Sequence, residues 1–260
     1  MPDCKLPMLQ SRLHRRLRQL EIDSIEKYEE YLFAPENTQR EIVHFIDAVT
    51  TNKTDFFREP EHFRFLASTA LDEHRRHGRS HRFTLWCAGC SSGEEPYTLA
   101  MVLAQYAASH AGFDFAILAT DISTRMLDHA RTGIYDESRI DPIPIALRQA
   151  YLLRSGDRSR KQVRIVPELR RRIGFHRLNF MDREYCVDNT FDAIFFRNVM
   201  IYFDKPTQEA VINKLCQHLY PGGYLFVGHS ESLAGLDIPA EPVGTAIYRR
   251  IAGHSSGQQR

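Results

Sequence analysis

Hydrophobic and polar positions follow two different patterns along this chain, one before about residue 80 and one after it. In the first part, apolar residues recur every three or four positions, which is the spacing of one helix face. Three such runs are Leu9, Leu13, Leu17 and Leu20; Ile25, Tyr28 and Leu32; and Ile42, Phe45, Ile46 and Val49. The pattern predicts a small all-α domain over residues 1–50, followed by a linker and a helix over residues 51–80.

From residue 83 onward, short apolar runs alternate with helical ones. Strands are expected at residues 83–87, 115–120, 193–196 and 224–228, and helices at 96–108, 124–132 and 205–219. This alternation is typical of an α/β doubly wound fold, in which a parallel sheet carries helices on both faces. We therefore predict one α/β domain over residues 81–252, and a polar, disordered tail at residues 253–260.

The alternation is interrupted between about residues 136 and 177. Pro142 and Pro144 break the helical pattern there. Residues 163–167 and 173–178 alternate apolar and polar side chains, and the polar residues 155–159 suit a turn. We predict a small antiparallel β-subdomain inserted at this point.

The stretch 85–96 combines an apolar strand, a loop of small residues and the start of a helix. Small residues recur at Gly89, Ser91 and Gly93, a spacing at which a backbone can pass close to a ligand. Pro96 suits the first turn of the following helix. Because ligands of open parallel sheets bind outside the carboxyl ends of the strands, this loop is the expected position of a nucleotide-like cofactor.

Two carboxylates in the same loop restrict the identity of that cofactor. Glu94 and Glu95 stand where dinucleotide and ATP sites hold phosphates with backbone N–H groups, and they would repel a polyphosphate. S-adenosylmethionine shares the adenosine half of such ligands but carries a cationic sulfonium and an amino group. Glu94 or Glu95 can complement those charges, so S-adenosylmethionine is the predicted cofactor.

Composition is that of a globular chain with ample core: 260 residues, 43% hydrophobic, 26% charged, with a net charge of +1. No continuous apolar run predicts a signal peptide or a membrane span, and overall charge indicates no class of partner. Cys87 and Cys90 form a CxxC, but no second pair completes a tetrahedral zinc site. We therefore predict no metal and a reducing, cytoplasmic setting, with a redox or metal role of the CxxC as the alternative.

Polar residues follow several expected strands. Asp121 stands at the position where an acidic residue accepts hydrogen bonds from ribose hydroxyls, and Asn179 can read an adenine edge. The run 197–203 (RNVMIYF) follows the strand at 193–196. Taken singly, Asp121 could cap the next helix and Asn179 could form a turn. Their joint placement at strand ends favours one shared ligand site.

Five motifs then make the chain resemble a known family. They are residues 52–59 (NKTDFFRE), 91–97 (SSGEEPY), 119–122 (ATDI), 191–203 (FDAIFFRNVMIYF) and 228–231 (GHSE). Together they closely resemble the chemotaxis receptor glutamate O-methyltransferases of the CheR type, in collinear order over about residues 10–250. The resemblance implies a class I S-adenosylmethionine-dependent methyltransferase sheet with an inserted antiparallel β-subdomain, preceded by an all-α domain. It also implies that glutamate side chains of chemoreceptors become methyl esters, with S-adenosylhomocysteine as the other product.

The resemblance also assigns roles to individual residues. The implied cofactor contacts are Asn52, Thr54, Arg58, Glu95, Asp121, Asn179, Phe180, Phe196, Arg197 and Asn198. Arg58 and Tyr202 are implied to face the transferred methyl group as catalytic residues. The alternatives are an interdomain salt bridge for Arg58 and a core aromatic for Tyr202. Cys87 replaces the carboxylate that usually heads the class I loop, and Ser91 occupies a usual glycine position.

Partners follow from the same resemblance. Four arginines of the first helix, Arg12, Arg15, Arg16 and Arg18, are expected to dock the acidic methylation helices of a receptor, although a solvated charged face is the alternative. The loop at 155–162 lies where some relatives bind a receptor's C-terminal peptide by strand addition. We expect a monomer without nucleic-acid binding or membrane insertion. Compared with typical family members, the chain is expected to lack the first N-terminal helix.

Two other functional classes share this fold. A nucleic-acid or small-molecule methyltransferase would keep the same cofactor site, but residues 197–200 (RNVM) differ from the Asp/Asn-Pro-Pro-aromatic run that holds an amino group. A binding module without catalysis is disfavoured because Arg58, Asp121 and Tyr202 are all present. The sequence thus favours carboxyl methylation.

Overall fold

The computed structural model describes residues 6–50, 52–76, 82–187 and 190–251. The tail predicted at residues 253–260 lies outside the described residues. The chain begins with three helices: α1 (Leu6–Gln19), α2 (Ile25–Phe33) and α3 (Pro35–Val49). They enclose a small core whose buried members are Leu13, Leu17, Tyr28 and Leu32. Burial of these side chains, spaced three and four apart, explains why the helical periodicity was visible in the sequence.

A buried ion pair joins two of these helices. Arg16 of α1 binds the Glu41 carboxylate of α3 in a bidentate manner, with Nε 2.8 Å and Nη2 2.6 Å from the two carboxylate oxygens. The Tyr28 hydroxyl donates to the same carboxylate at 2.8 Å. Burial alone would raise the pKa of Glu41, but the bonds from Arg16 and Tyr28 outweigh it and lower the pKa. The Arg16 side chain is therefore part of the domain's interior.

Replacing Arg16 with alanine is expected to lower the free energy of unfolding by about 3 kcal/mol, because it leaves the buried Glu41 carboxylate without its cation. Arg15→Ala is the matched control, since its side chain is exposed and its loss should cost less than about 0.5 kcal/mol. Urea unfolding of both variants tests this. Equal stabilities of the two variants would contradict a structural role for Arg16.

A segmented helical region connects the all-α domain to the sheet. It consists of α4 (Pro60–Phe65), a π-helical turn (Leu66–Ala70) and α5 (Leu71–Arg76). Glu59 precedes α4 in the left-handed region, at φ 57°. Such a conformation is uncommon for a residue with a side chain, so it marks a position fixed by its surroundings.

Ten strands and five further helices complete the described fold. The strands are β1 (Phe83–Ala88), β2 (Phe115–Asp121), β3 (Ile134–Asp136), β4 (Leu152–Arg154), β5 (Gln162–Ile165), β6 (Ile173–Arg177), β7 (Phe191–Phe195), β8 (Leu219–Phe226), β9 (Ala240–Gly244) and β10 (Ile247–Arg250). The helices are α6 (Glu94–Ser109), α7 (Thr124–Thr132), α8 (Ile145–Tyr151), α9 (Pro167–Arg170) and α10 (Lys205–Gln217). Among the described residues, no helix is both long enough and apolar enough to cross a membrane.

Seven strands form one sheet in the order β6-β2-β1-β7-β8-β10-β9. The first five strands in this order run parallel to one another, and β10 runs antiparallel to β8 and β9. Within this sheet, β2 and β6 lie on one side of β1, and β7 to β10 lie on its other side. The strand order therefore reverses between β1 and β7. The carboxyl ends of these two strands border the crevice where α/β sheets bind ligands.

The two faces of this sheet are both buried, as the continuous apolar strands predict. Leu85 and Phe195 face a core shared with α4, α5 and α6. Trp86, which follows Leu85, and Ile194, which precedes Phe195, face a second core shared with α10. Since side chains alternate along a strand, helices on both faces cover both sets, which is the doubly wound arrangement predicted.

The inserted segment forms a separate antiparallel sheet in the order β3-β5-β4. Residues 173–178 were also expected in this insertion, and that assignment is corrected by the structure. β6 instead pairs in parallel with β2 at the edge of the large sheet, with Ile173 opposite Ile117. Alternating polarity is common to edge strands of both kinds of sheet, so the pattern alone could not specify the partner.

Candidate functional site

The loop between β1 and α6 has a backbone that requires small residues. Gly89, Ser91 and Gly93 all have positive φ, at 87°, 48° and 99°. A Cβ on Gly89 would lie 2.6 Å from Val199 Cγ2, and one on Gly93 would lie 2.7 Å from the Tyr135 hydroxyl. Both glycines are therefore needed for conformation and for close packing, while Ser91 accepts the left-handed conformation despite its side chain.

Asp121, at the end of β2, holds this loop in place. Its two carboxylate oxygens accept the backbone N–H groups of Ser91 at 2.8 Å and Ser123 at 2.9 Å. Burial raises the pKa of Asp121, and these N–H groups partly offset that effect. The N-cap of α7 is Ser123, which accepts from the Met126 N–H, and not Asp121. Each Asp121 oxygen has a further lone pair, so the carboxylate can still accept ligand hydroxyls.

Arg197, two residues beyond β7, is the centre of the site's charge. Its side chain is 1% exposed and lies between two carboxylates. Nη2 is 3.0 Å from Glu59 Oε2, and Nη1 is 2.9 Å from Glu95 Oε2. The guanidinium also lies over the Phe63 ring, 5.4 Å from its centre. The Cys87 thiol donates to the other Glu95 oxygen at 3.3 Å, so this cysteine lines the loop as a small polar side chain.

The two carboxylates respond differently to the buried arginine. Burial raises the pKa of Glu95, and Arg197 offsets this only in part. Burial would also raise the pKa of Glu59, but Arg197 and the backbone N–H of His229 outweigh it, so that pKa is lowered. Arg197 Nη1 makes no hydrogen bond of good geometry within the described residues, despite its closeness to Glu95. A buried N–H donor thus remains for a ligand.

Glu231 is the residue that shapes the two loops after β7 and β8. Its carboxylate accepts the backbone N–H groups of Asn198 at 2.8 Å, Met200 at 2.8 Å and Gly228 at 2.7 Å. Asn198 itself has a positive φ of 59°. A Cβ on Gly228 would lie 2.4 Å from Asn198 Nδ2, so the asparagine side chain rests against this glycine. Glu231 belongs to the motif at residues 228–231, but no feature of the sequence predicts this role for it.

Glu94 is not available to a ligand in the way the sequence suggested. Its buried carboxylate binds Arg139 at 2.7 Å and the Ser92 hydroxyl at 2.6 Å. Arg139 also donates to the Thr54 carbonyl at 2.6 Å. Burial raises the pKa of Glu94. Arg139 therefore connects the inserted subdomain to Glu94 and to the segment before α4, which leaves Glu95 as the carboxylate that pairs with Arg197.

The segment before α4 carries two further predicted residues, and one of them, Asn52, contacts the loop. The Asn52 carbonyl accepts from the Ser91 hydroxyl at 3.1 Å. Arg58 donates from Nη1 to the Lys53 carbonyl at 3.3 Å, and its side chain is 35% exposed. Its Nε lies 3.9 Å from Glu59 Oε1, at the limit of an ion pair. Arg58 is thus at the edge of the site with much of its guanidinium open to solvent.

The remaining predicted site residues differ in how far they reach the surface. Asn179 forms a turn in which its side chain accepts the Met181 N–H at 3.0 Å. Phe180 packs edge-to-face on Phe196 at 4.9 Å, and both rings are buried in the core beside α10. Tyr202 is 48% exposed, so the reading as a core aromatic is excluded.

The four arginines of α1 separate into two kinds. Arg12 Nη1 donates to two carbonyls at the end of α3, at 2.9 and 3.0 Å, and Arg16 binds Glu41. Arg15 and Arg18 are exposed. The structure thus uses two of the predicted docking side chains inside the helical domain and presents the other two at its surface.

Comparison with known proteins decides the family. A family model described as CheR methyltransferase, SAM binding domain, matches residues 52–248. The chain belongs to the CheR methyltransferase family. A second model, CheR methyltransferase, all-alpha domain, matches residues 1–50. The CheR-type fold predicted from the sequence, an all-α domain followed by a class I methyltransferase sheet, is confirmed.

Curated members of the CheR family are similar over most of this chain. Chemotaxis protein methyltransferase of Salmonella typhimurium is 42% identical over 248 residues, covering 95% of this chain and 83% of that protein. Chemotaxis protein methyltransferase 2 of Pseudomonas aeruginosa is 37% identical over 250 residues, covering 95% and 86%. The Escherichia coli chemotaxis protein methyltransferase is 38% identical, covering 95% and 84%. This CheR chain is a methyltransferase that uses S-adenosylmethionine.

The site's chemistry fits that cofactor. S-adenosylmethionine offers ribose hydroxyls, a carboxylate, and the cationic ammonium and sulfonium groups. The site offers acceptors at Asp121, an unused buried N–H on Arg197 and a carboxylate at Glu95. Each kind of ligand group therefore has a chemical complement at the carboxyl ends of β1, β2 and β7.

Proposed function

We propose that this chain transfers the methyl group of S-adenosylmethionine to glutamate side chains on the cytoplasmic helices of chemoreceptors, giving glutamate methyl esters and S-adenosylhomocysteine. The observation that carries the proposal is the buried Glu59–Arg197–Glu95 cluster beside the Asp121-bound loop, in a chain of the CheR family. The family relationship supports the substrate class, and the cluster supports an intact cofactor site.

Within this proposal, cofactor recognition is divided among the strand ends. Asp121 accepts the ribose hydroxyls, because its oxygens have unused lone pairs directed away from the backbone N–H groups. Arg197 binds the cofactor's carboxylate through its unused N–H, and Glu95 faces the cationic part. The contacts further from this centre are Asn52, Thr54, Asn179, Phe180, Phe196 and Asn198.

The proposed chemistry needs no general base. A glutamate side chain has a pKa of about 4.3 and is already ionised at neutral pH. The cofactor supplies an electrophilic methyl group on a cationic sulfur. The protein's task is to align the incoming carboxylate and to exclude water, which together can supply several kcal/mol. We assign this task to Arg58 and Tyr202, each of which exposes part of its side chain to solvent.

Labelled S-adenosylmethionine and a purified receptor cytoplasmic fragment test the function. Label should enter the receptor fragment and be released as volatile methanol by base, because esters hydrolyse whereas N-methyl groups do not. Arg58→Ala should lower the rate about 100-fold through misplacement of the carboxylate. Arg64→Ala is the matched control, because Arg64 is exposed on α4 and pairs with Glu61. Base-stable label, or cofactor binding without labelled receptor, would contradict the proposed reaction.

Receptor docking is proposed for the exposed side of α1. Arg15 and Arg18 supply two cationic groups that complement acidic methylation helices. The double variant Arg15→Glu/Arg18→Glu should lower kcat/KM for the receptor about tenfold at low salt, and the difference should shrink as salt is added. Arg75→Glu/Arg76→Glu on α5 reverses the same number of charges outside the helical domain. Equal losses from both double variants would contradict a specific docking role.

We extend the proposal to the remaining partners and to location. The free edge of β4 in the inserted sheet can receive a receptor's C-terminal peptide as an added strand. The receptor helices that carry the glutamates place the reaction in the cytoplasm, and one copy of the chain supplies every proposed site residue. Pull-down with a receptor tail peptide should require the inserted subdomain, and binding that survives its deletion would contradict strand addition there.

A further inference from the structure

A buried histidine next to the Arg197 cluster has no role in the chemistry above. His62 lies in α4 with a fully buried side chain. Its Nε2 is 3.4 Å from the Thr245 carbonyl oxygen, which can only accept, so Nε2 carries the hydrogen of the neutral ring. The other ring nitrogen, Nδ1, is therefore a bare lone pair. It has no hydrogen-bond partner within the described part of the chain.

This lone pair faces another acceptor. His62 Nδ1 lies 3.6 Å from Glu59 Oε2, so two electron-rich atoms lie close together in a buried place. Such an arrangement is unfavourable unless a cation lies between them. A metal ion about 2.0–2.1 Å from a histidine nitrogen and from a carboxylate oxygen spans this separation at an angle of about 120°.

A third candidate ligand, His229, lies on the solvent-exposed side of His62 and Glu59. His229, after β8, has its ring perpendicular to that of His62, with the ring centres 4.9 Å apart. One ligand atom from each of Glu59, His62 and His229 falls within 4.8 Å of the others. We propose that Glu59, His62 and His229 form a binding site for a divalent transition-metal ion, with Zn²⁺ as the best match.

The ligand types support that class of ion. Two imidazoles and one carboxylate suit Zn²⁺ and its neighbours in the first transition row, whereas Mg²⁺ and Ca²⁺ prefer oxygen ligands. The exposed side of His229 leaves the fourth coordination position to water. No short spacing motif marks this site in the sequence, because its ligands lie on two segments that are about 170 residues apart.

Arg197 carries the positive charge that most opposes metal binding at this site. It shares the Glu59 carboxylate with the proposed ion, so the two cations compete for it. Arg197 retains Glu95 as a second carboxylate, at 2.9 Å, and so is not left unpaired when Glu59 turns toward a metal. The proposed site therefore binds metal in exchange for one contact of the arginine.

Titration of the tag-free, chelator-treated protein with Co²⁺ tests the site without methyl donor or receptor, so its outcome is separate from the proposed function. Wild type should show the intense visible absorption of four-coordinate Co²⁺, saturating at one equivalent and displaced by Zn²⁺. His229→Ala should weaken binding more than about tenfold. This variant is preferred to one at buried His62 because His229 is exposed and its loss leaves the core intact.

His14→Ala, a change at an exposed histidine of α1, is the matched control and should bind Co²⁺ as wild type does. Far-ultraviolet circular dichroism of His229→Ala should match that of wild type, which excludes unfolding as the cause of weaker binding. Absence of the four-coordinate absorption in wild type, or its persistence in His229→Ala, would overturn the proposal.

Discussion

Replacing Arg197 with methionine is expected to lower the free energy of unfolding by about 3–5 kcal/mol and to weaken S-adenosylhomocysteine binding more than tenfold. The substitution keeps the apolar stem but leaves Glu59 and Glu95 as buried carboxylates without their shared cation. Urea unfolding and calorimetric titration measure the two effects. Arg249→Met is the matched control: Arg249 also pairs with a glutamate, Glu73, but is more exposed, so its loss should cost about 1 kcal/mol or less.

The loss of stability in Arg197→Met should depend on pH in a defined direction. In wild type the folded-state pKa of Glu59 is lowered, so this pair stabilises the fold above the unfolded pKa and loses its effect in acid. In Arg197→Met, burial raises the folded-state pKa of both carboxylates above the unfolded value. The free-energy cost of burying these two carboxylates is then greatest at a pH where they are ionised. The variant should therefore be less destabilised at pH 5 than at pH 7.5. An equal loss at both pH values would contradict the assigned charges.

Asp121→Ala is expected to weaken S-adenosylhomocysteine binding about 100-fold. Two hydrogen bonds from ribose hydroxyls to a carboxylate, at about 1.5 kcal/mol each, account for that factor. The same substitution frees the N–H groups of Ser91 and Ser123, so the glycine loop should also become less ordered. Isothermal titration calorimetry gives the affinity directly.

Asp128→Ala is the control for Asp121, because Asp128 is exposed on α7 and pairs locally with Arg131. Its affinity for the cofactor product should match that of wild type. If Asp121→Ala binds within about threefold of wild type, Asp121 positions the loop without touching the ribose, and the proposed recognition is wrong.

Local signals explain what the sequence could predict. The helix expected at residues 124–132 is found with these bounds because its ends are set by neighbours: Ser123 caps its start, and Gly133 ends it with a positive φ of 59°. The glycine loop was also visible, since the positive φ angles of Gly89 and Gly93 are demands of the loop backbone itself. Both features depend on short stretches of chain.

Long-range pairing explains what the sequence could not predict. Arg197 and Glu59 are 138 residues apart, so no spacing pattern announces their ion pair. The same holds on α1, where periodicity places Arg16 among surface arginines, yet Glu41 of α3 draws it into the interior. The charge of the loop alone did not separate Glu94 from Glu95; in the structure Arg139 of the inserted subdomain pairs with Glu94, and Arg197 pairs with Glu95.

Identifying the atom that receives the methyl group is the most direct test of glutamate methylation. A receptor cytoplasmic fragment, incubated with the protein and S-adenosylmethionine, can be digested and its modified peptides fragmented by mass spectrometry. Methyl groups are expected on glutamate side-chain oxygens, formed about 100-fold more slowly with Arg58→Ala and at the wild-type rate with Arg64→Ala. Methyl groups on lysine, arginine or cysteine instead, or an unmodified fragment in the presence of protein that binds the cofactor, would contradict glutamate methylation.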